Sequence, residues 1–268
     1  MWVTTRRREV GIGYGWLLRG VYGVMAAGAA VAGPALGGDT GRDVCAGLTA
    51  VATFATLAVS VARRKAGVAG ERARKERVAA RLPTTARSGD AESPHRGGER
   101  HQNEFDPVLD LIPPVIGAVG LVFAGVHASG GHDALSVART LAGAAFLGAV
   151  SDAMLLGHWY LVQPGLGRAP LLELVKWTAW VWPLEVALLL WPPGMVDALT
   201  GHIDDGWDGT LSWFWVACAV TTIALAFVTR AALKERAYSA VMAATGLLYL
   251  AILTAFGTDL VARAILAG

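Results

Sequence analysis

Apolar residues gather along this chain in long unbroken blocks, not at every second or third position. The blocks cover 13–33, 44–62, 110–128, 139–162, 171–191, 211–229 and 238–258. They approach or reach the roughly 17–25 residues that an α-helix needs to cross a bilayer. Backbone N–H and C=O groups find no water in lipid, so such segments satisfy them internally as helices. A β-barrel would show segments of about ten residues alternating apolar and polar, and these blocks do not alternate. The pattern predicts an all-α integral membrane protein of about seven transmembrane helices. Two blocks fit less well. Arg19 interrupts the first, and Asp110, Pro113 and Pro114 crowd the start of the third.

The polar positions between the blocks set an orientation. With the N-terminus in the cytoplasm, the inner segments hold Arg6, Arg7 and Arg8, the basic stretch 63–109, Arg168, and the turn with Arg230, Lys234 and Arg236. The outer segments hold only Arg42, Arg139 and Arg263. Basic residues remain on the cytoplasmic side of short loops, so the N-terminus is expected inside and the C-terminus outside. RRREV followed by AVAGPALGG has the outline of a secretory signal, although the arginines stand far from the apolar core for one.

Composition agrees with this class. Charged residues make up 16% of the chain, against about 25% in soluble domains. The charge of +2 follows from the inner loops and gives no reason to invoke nucleic acid, since orientation and anionic lipid account for a basic surface. Cys45 and Cys218 fall at different depths and read as small apolar residues. The Ala- and Arg-rich composition suggests a bacterial cytoplasmic membrane.

Three regions emerge. Residues 1–62 carry an N-terminal arm and two small-residue-rich spans. Residues 63–109 form a basic cytoplasmic linker: RRKAGVAGERARKERVAARL suits a helix lying on the inner surface, and the polar remainder reads as disordered. This linker is also the expected docking segment for other membrane or cytoplasmic subunits. Residues 110–268 supply a five-helix bundle. Small residues four apart, Ala29 with Gly33, Ala46 with Ala50 and Ala144 with Gly148, predict close helix contacts. Trp191, Trp207, Trp213 and Trp215 suit an outer interfacial belt.

Charges at membrane depth are the candidate chemistry, because each costs ~2.5–3.5 kcal/mol to insert. Asp152 and His158 lie in the fourth block, and Glu173, Lys176 and Glu185 in the fifth. At about 1.5 Å per residue, Asp152 is near mid-bilayer, with Glu185 slightly to its outer side. His158 lies roughly 10 Å further in, at the depth of Lys176 and Glu173. Asp152 and His158 are expected to face other helices or an internal cavity. Trp159, Tyr160 and Trp177 beside these groups outline a quinone slot, for which a hydrogen-bonding side chain in an apolar, aromatic recess suffices. Haem b needs two axial ligands at one depth, and His127 with His132 or His202 near the outer surface is the pairing available. No H-E-x-x-H, G-x-S-x-G or P-loop is present, so the chain is not expected to be catalytic on its own. The acidic loop GHIDDGWDGT places Asp204 and Asp208 as in a calcium loop but lacks the required twelfth-position carboxylate.

These features point to a membrane subunit of a redox or energy-transducing complex, with an intramembrane polar site for a proton or quinone. A small transporter or channel using the same residues is the alternative. A non-catalytic scaffold or assembly protein is a second alternative.

Overall fold

A computed structural model describes residues 2–7, 10–63, 105–129, 132–163, 165–235 and 237–267. Most of the expected linker 63–109 lies outside the described residues. The described residues are helical and contain no strand. In order they form α1 (Trp2–Arg7), α2 (Ile12–Ala35), α3 (Thr40–Ala62), a 3-10 turn (Pro107–Leu111), α4 (Ile112–His127), α5 (Asp133–Val162), α6 (Ala169–Leu190), α7 (Met195–Leu199), α8 (Thr210–Lys234) and α9 (Tyr238–Ala267). Six stretches are long and apolar enough to cross a membrane: α2, α3, Pro107–His127, α5, α8 and α9. The protein is a multi-pass, all-helical membrane protein.

The helices follow the apolar blocks closely, with one substantial difference. The last block was expected to end at 258, yet α9 continues to Ala267. Asp259 and Arg263 interrupt the apolar run but sit one turn apart and pair with each other, so they do not end the helix. Arg263 therefore lies within a helix and not in an outer loop, as do Arg42 on α3 and Arg139 on α5, which begins at Asp133.

The chain forms two compact units, residues 1–117 with 165–167, and residues 118–164 with 168–268. In the first unit, α2 and α3 pack as a hairpin. Gly37 makes the turn with φ 71°, and the N–H of Gly38 closes α2 on the carbonyl of Gly33 at 2.8 Å. Asp39 caps α3 by accepting from the Arg42 N–H. Gly23 leaves room for the Phe54 ring. The two misfits of the sequence pair with each other here. Arg19 Nε donates to Asp110 Oδ1 at 2.9 Å and Nη2 to Oδ2 at 2.8 Å. Arg19 Nη1 and Trp16 Nε1 both reach the Ser60 hydroxyl, and the guanidinium stacks 4.4 Å over Phe105. A planar fork matched to a carboxylate is the strongest neutralising geometry an arginine can adopt.

In the second unit, four helices close into a ring: α5 packs beside α6 and α9, and α8 also packs beside α6 and α9. Cross-links fix the register. Thr245 donates to the Gly157 carbonyl at 3.0 Å, tying α9 to α5. Trp182 donates to the Ala219 carbonyl at 3.0 Å, tying α6 to α8. Thr222 and Thr254 join α8 to α9 through hydroxyls 2.7 Å apart. At the inner end, Arg168 donates to the carbonyls of Leu233 and Ala237 and so satisfies acceptors left over where α8 stops. Arg168 beside Leu233 and Trp182 beside Ala219 show that α6 runs antiparallel along α8. At 22 residues it is long enough to span, but Glu173, Lys176 and Glu185 keep it out of the apolar set. Inner and outer here follow the orientation given by the Lys and Arg distribution.

One expected packing pair and one expected belt residue differ. Ala144 and Gly148 lie on the exposed face of α5. Gly143 and Gly157, on its other face, make the close approach to α9. Trp191, Trp207 and Trp213 are exposed as a belt requires, but Trp215 is buried in the outer core with Leu189, Met195, Ala198, Ala262 and Ile265.

Candidate functional site

The four-helix unit gathers charge at its outer end. Glu185 sits on the last turns of α6, Asp259 and Arg263 on the last turns of α9, and Arg139 on the second turn of α5. Since α5 runs inward while α6 and α9 run outward, all four reach one level. Ring order makes α6 and α9 diagonal partners, so Glu185 meets Asp259 across the bundle axis.

Each charge but one is committed. Arg263 Nε donates to both oxygens of Asp259 at 2.9 Å, and its Nη2 donates to the Arg139 carbonyl at 3.1 Å. Arg139 donates from Nε to the Leu188 carbonyl at 2.9 Å, and from Nη2 to the carbonyls of Trp191 and Pro193 at 2.7 Å each. Those carbonyls lie at and beyond the C-terminus of α6, where the helix dipole already favours a cation. Neither guanidinium donates to Glu185. That side chain is completely buried, and neither of its oxygens has a hydrogen-bond partner. Its charged neighbours are the Asp259 carboxyl and the guanidinium groups of Arg263 and Arg139, none of them hydrogen-bonded to it.

Gly143 is what lets this cluster exist. A β-carbon there would run into the Asp259 carboxylate and the Arg263 guanidinium. Apolar layers enclose the cluster on both sides. Inward lies the layer of Phe146, Val150, Ala251 and Ala255. Outward lies the one built on Met195, Ala198 and Trp215. The Trp215 indole N–H is also buried without an acceptor.

The residues expected from sequence fall into different places. Glu185 is in the cluster. Asp152 is buried on α5, inward of the cluster. His158 is exposed on the same helix and turned toward α9, whereas Asp152 is buried. The reason is helical phase: six residues turn the side chain well round the helix. His158 Nδ1 lies 2.9 Å from the Tyr249 hydroxyl of α9, with the rings edge-on. Lys176 is exposed with its ammonium 5.9 Å from the Trp180 ring centre, and Trp177 is exposed beside it. Glu173 is half-buried and, because α6 begins at Ala169, stands beyond its first turn. Trp159 donates to Gln163, while Tyr160 is buried. His127 ends α4, and His202 Nδ1 is 2.8 Å from the Thr200 hydroxyl. Among the described residues, no group of three or more His, Cys, Asp or Glu could hold a metal ion.

Sequence reasoning passed over Asp259, Arg263 and Arg139. The signal was the spacing D-x-x-x-R followed by AIL, an ion pair one turn apart with apolar residues continuing beyond it. In the acidic outer loop the working residue is Asp205. Its Oδ1 accepts from the N–H groups of Trp207 and Gly209, and its Oδ2 accepts from the N–H and hydroxyl of Ser212. Burial opposes ionisation, but these four donors outweigh it and hold the carboxyl down at about 2. The loop thus uses its acidic side chain to begin α8.

No family model, curated protein or solved structure matches this chain.

Proposed function

We propose that this chain is the proton-binding membrane subunit of an energy-transducing complex in a bacterial cytoplasmic membrane, and that Glu185 and Asp259 hold the proton between them. One observation carries the reading: a completely buried carboxyl with neither oxygen hydrogen-bonded, set against a second carboxyl. A donor-free carboxylate in a low-dielectric interior is costly, and two carboxylates in one site repel. A single proton relieves both. Protonated Glu185 donates its O–H to Asp259, whose other contacts come from Arg263. Arg139 and Arg263 then fix the two carboxyls without neutralising Glu185 directly.

Infrared difference spectroscopy on the reconstituted protein tests this. A pH step should change the C=O band of a buried carboxylic acid. Glu185→Gln should remove that band, and Asp152→Asn should leave it in place. An unchanged spectrum in Glu185→Gln would end the proposal.

The quinone reading is supported by a separate observation, the exposed His158–Tyr249 pair at membrane depth. A quinone carbonyl arriving from lipid could accept from it. Stoichiometric quinone in the purified protein, lost in His158→Ala, is the expected result under this reading; its absence counts against it. A blank reduced-minus-oxidised spectrum would dispose of haem on His127 and His202.

A further inference from the structure

We propose that residues 192–199 form an outer gate over the Glu185–Asp259 pair and that Arg139 is its latch; the gate's purpose, though not its geometry, rests on the proton reading of that pair.

Distance favours an outer exit. Glu185 is five residues from the outer end of α6 and sixteen from its inner end, or roughly 8 Å against 24 Å of helix. Inward, engaged hydroxyls and an apolar layer separate the pair from the next buried carboxyl, Asp152. The Thr258 hydroxyl bonds back to the Thr254 carbonyl, and those of Thr222, Thr245 and Thr254 have partners within their own helix and on the neighbouring one. The Phe146 layer fills the same zone. In the outward direction the covering segment is short, with Met195 and Ala198 of α7 buried against Leu189, Trp215, Ala262 and Ile265, and Leu199 and Ile203 packed alongside.

That cover hangs on Arg139. Capping α6 would require only carbonyls of its last turn, such as that of Leu188. Arg139 also grips Trp191, the C-cap of α6, and Pro193 at the start of the covering segment. Gly194 follows directly. A β-carbon there would collide with the carbonyls of Leu189 and Trp191 and press on the Arg139 guanidinium. The latch thus fastens the segment while its backbone carries it to the charges beneath, where Glu185 and Arg263 act on it. With the segment lifted, a water can reach the pair and take the proton as hydronium, leaving the carboxylates behind.

Cysteine accessibility in the full chain tests the gate. Ala198→Cys is placed in a background carrying Cys45→Ala and Cys218→Ala, reconstituted, and treated with a membrane-impermeant maleimide. Labelling should be slow with Arg139 intact. It should rise at least tenfold in Arg139→Gln, and also in Gly194→Ala, which keeps every charge. Ala153→Cys, buried on α5, should remain unlabelled throughout. Unchanged rates at position 198 in both variants would overturn the gate. So would an equal rise at position 153, which marks general loosening. Infrared spectra of the same samples separate the two ideas. Faster labelling with no carboxylic-acid band supports the gate and ends the proton reading; a band with unchanged labelling does the reverse.

Discussion

Removing the Asp110 carboxylate should be among the most damaging single changes in the first unit. The Arg19 and Asp110 side chains are 2% and 0% exposed. Arginine does not lose its proton in proteins, so Asp110→Ala leaves a buried cation with only Ser60 and the Phe105 face. Two charge-assisted hydrogen bonds disappear, each worth ~1.5–3 kcal/mol. Breaking a buried pair from one side costs about 3–5 kcal/mol. At 1.4 kcal/mol per factor of ten, the first unit should lose roughly a hundred- to several-thousand-fold in its folding constant. Replacing both partners, as in Arg19→Met with Asp110→Leu, should recover most of this, because matched apolar groups are often as stable as a buried pair. A denaturant titration with a fluorinated tryptophan at position 16 reports locally, since Trp16 shares Ser60 with Arg19. If Asp110→Ala shifts the transition by under ~0.5 kcal/mol, the range of ordinary surface substitutions, the pair is not what holds the Pro107–Leu111 turn to α2.

Gly143→Ala should cost about 1–3 kcal/mol by overpacking, whereas Gly148→Ala, in open space on the exposed face, should be silent; thermal unfolding of both compares them directly. Asp205 is depressed in the folded state from 3.8 to about 2. Its contribution is therefore complete above pH ~4 and lost as pH falls toward 2, and an acid titration of Asp205→Asn should lack that component. Arg168→Gln uncaps α8 and should speed hydrogen exchange at its inner end; protection equal to wild type around residues 230–234 would contradict the capping role.

The fold was legible because lipid imposes one rule on every span, and that rule is written in apolar length. The site was legible only in part. Glu185 stood out because a carboxylate at that depth is conspicuous by itself. Asp259 and Arg263 did not, because their charges fell where a helix was expected to end, and only the continued AIL shows that it does not. Arg19 and Asp110 each looked like a defect in its own block. Nothing in a one-dimensional reading joins two such defects 91 residues apart. The exposure of His158 was not legible for a different reason. Depth can be counted along a helix, but which face meets lipid depends on neighbours that spacing does not name.

That separation also has a consequence during synthesis. Ribosomes add about 5–20 residues per second, so Arg19 emerges roughly 5–18 s before Asp110. For that interval the nascent first unit holds an uncompensated cation within two freshly inserted helices. Ser60, emerging about halfway through, offers its hydroxyl to the guanidinium before the carboxylate exists. The third span then arrives as the counter-charge. A ribosome stalled between the two should leave the first hairpin poorly retained in the bilayer.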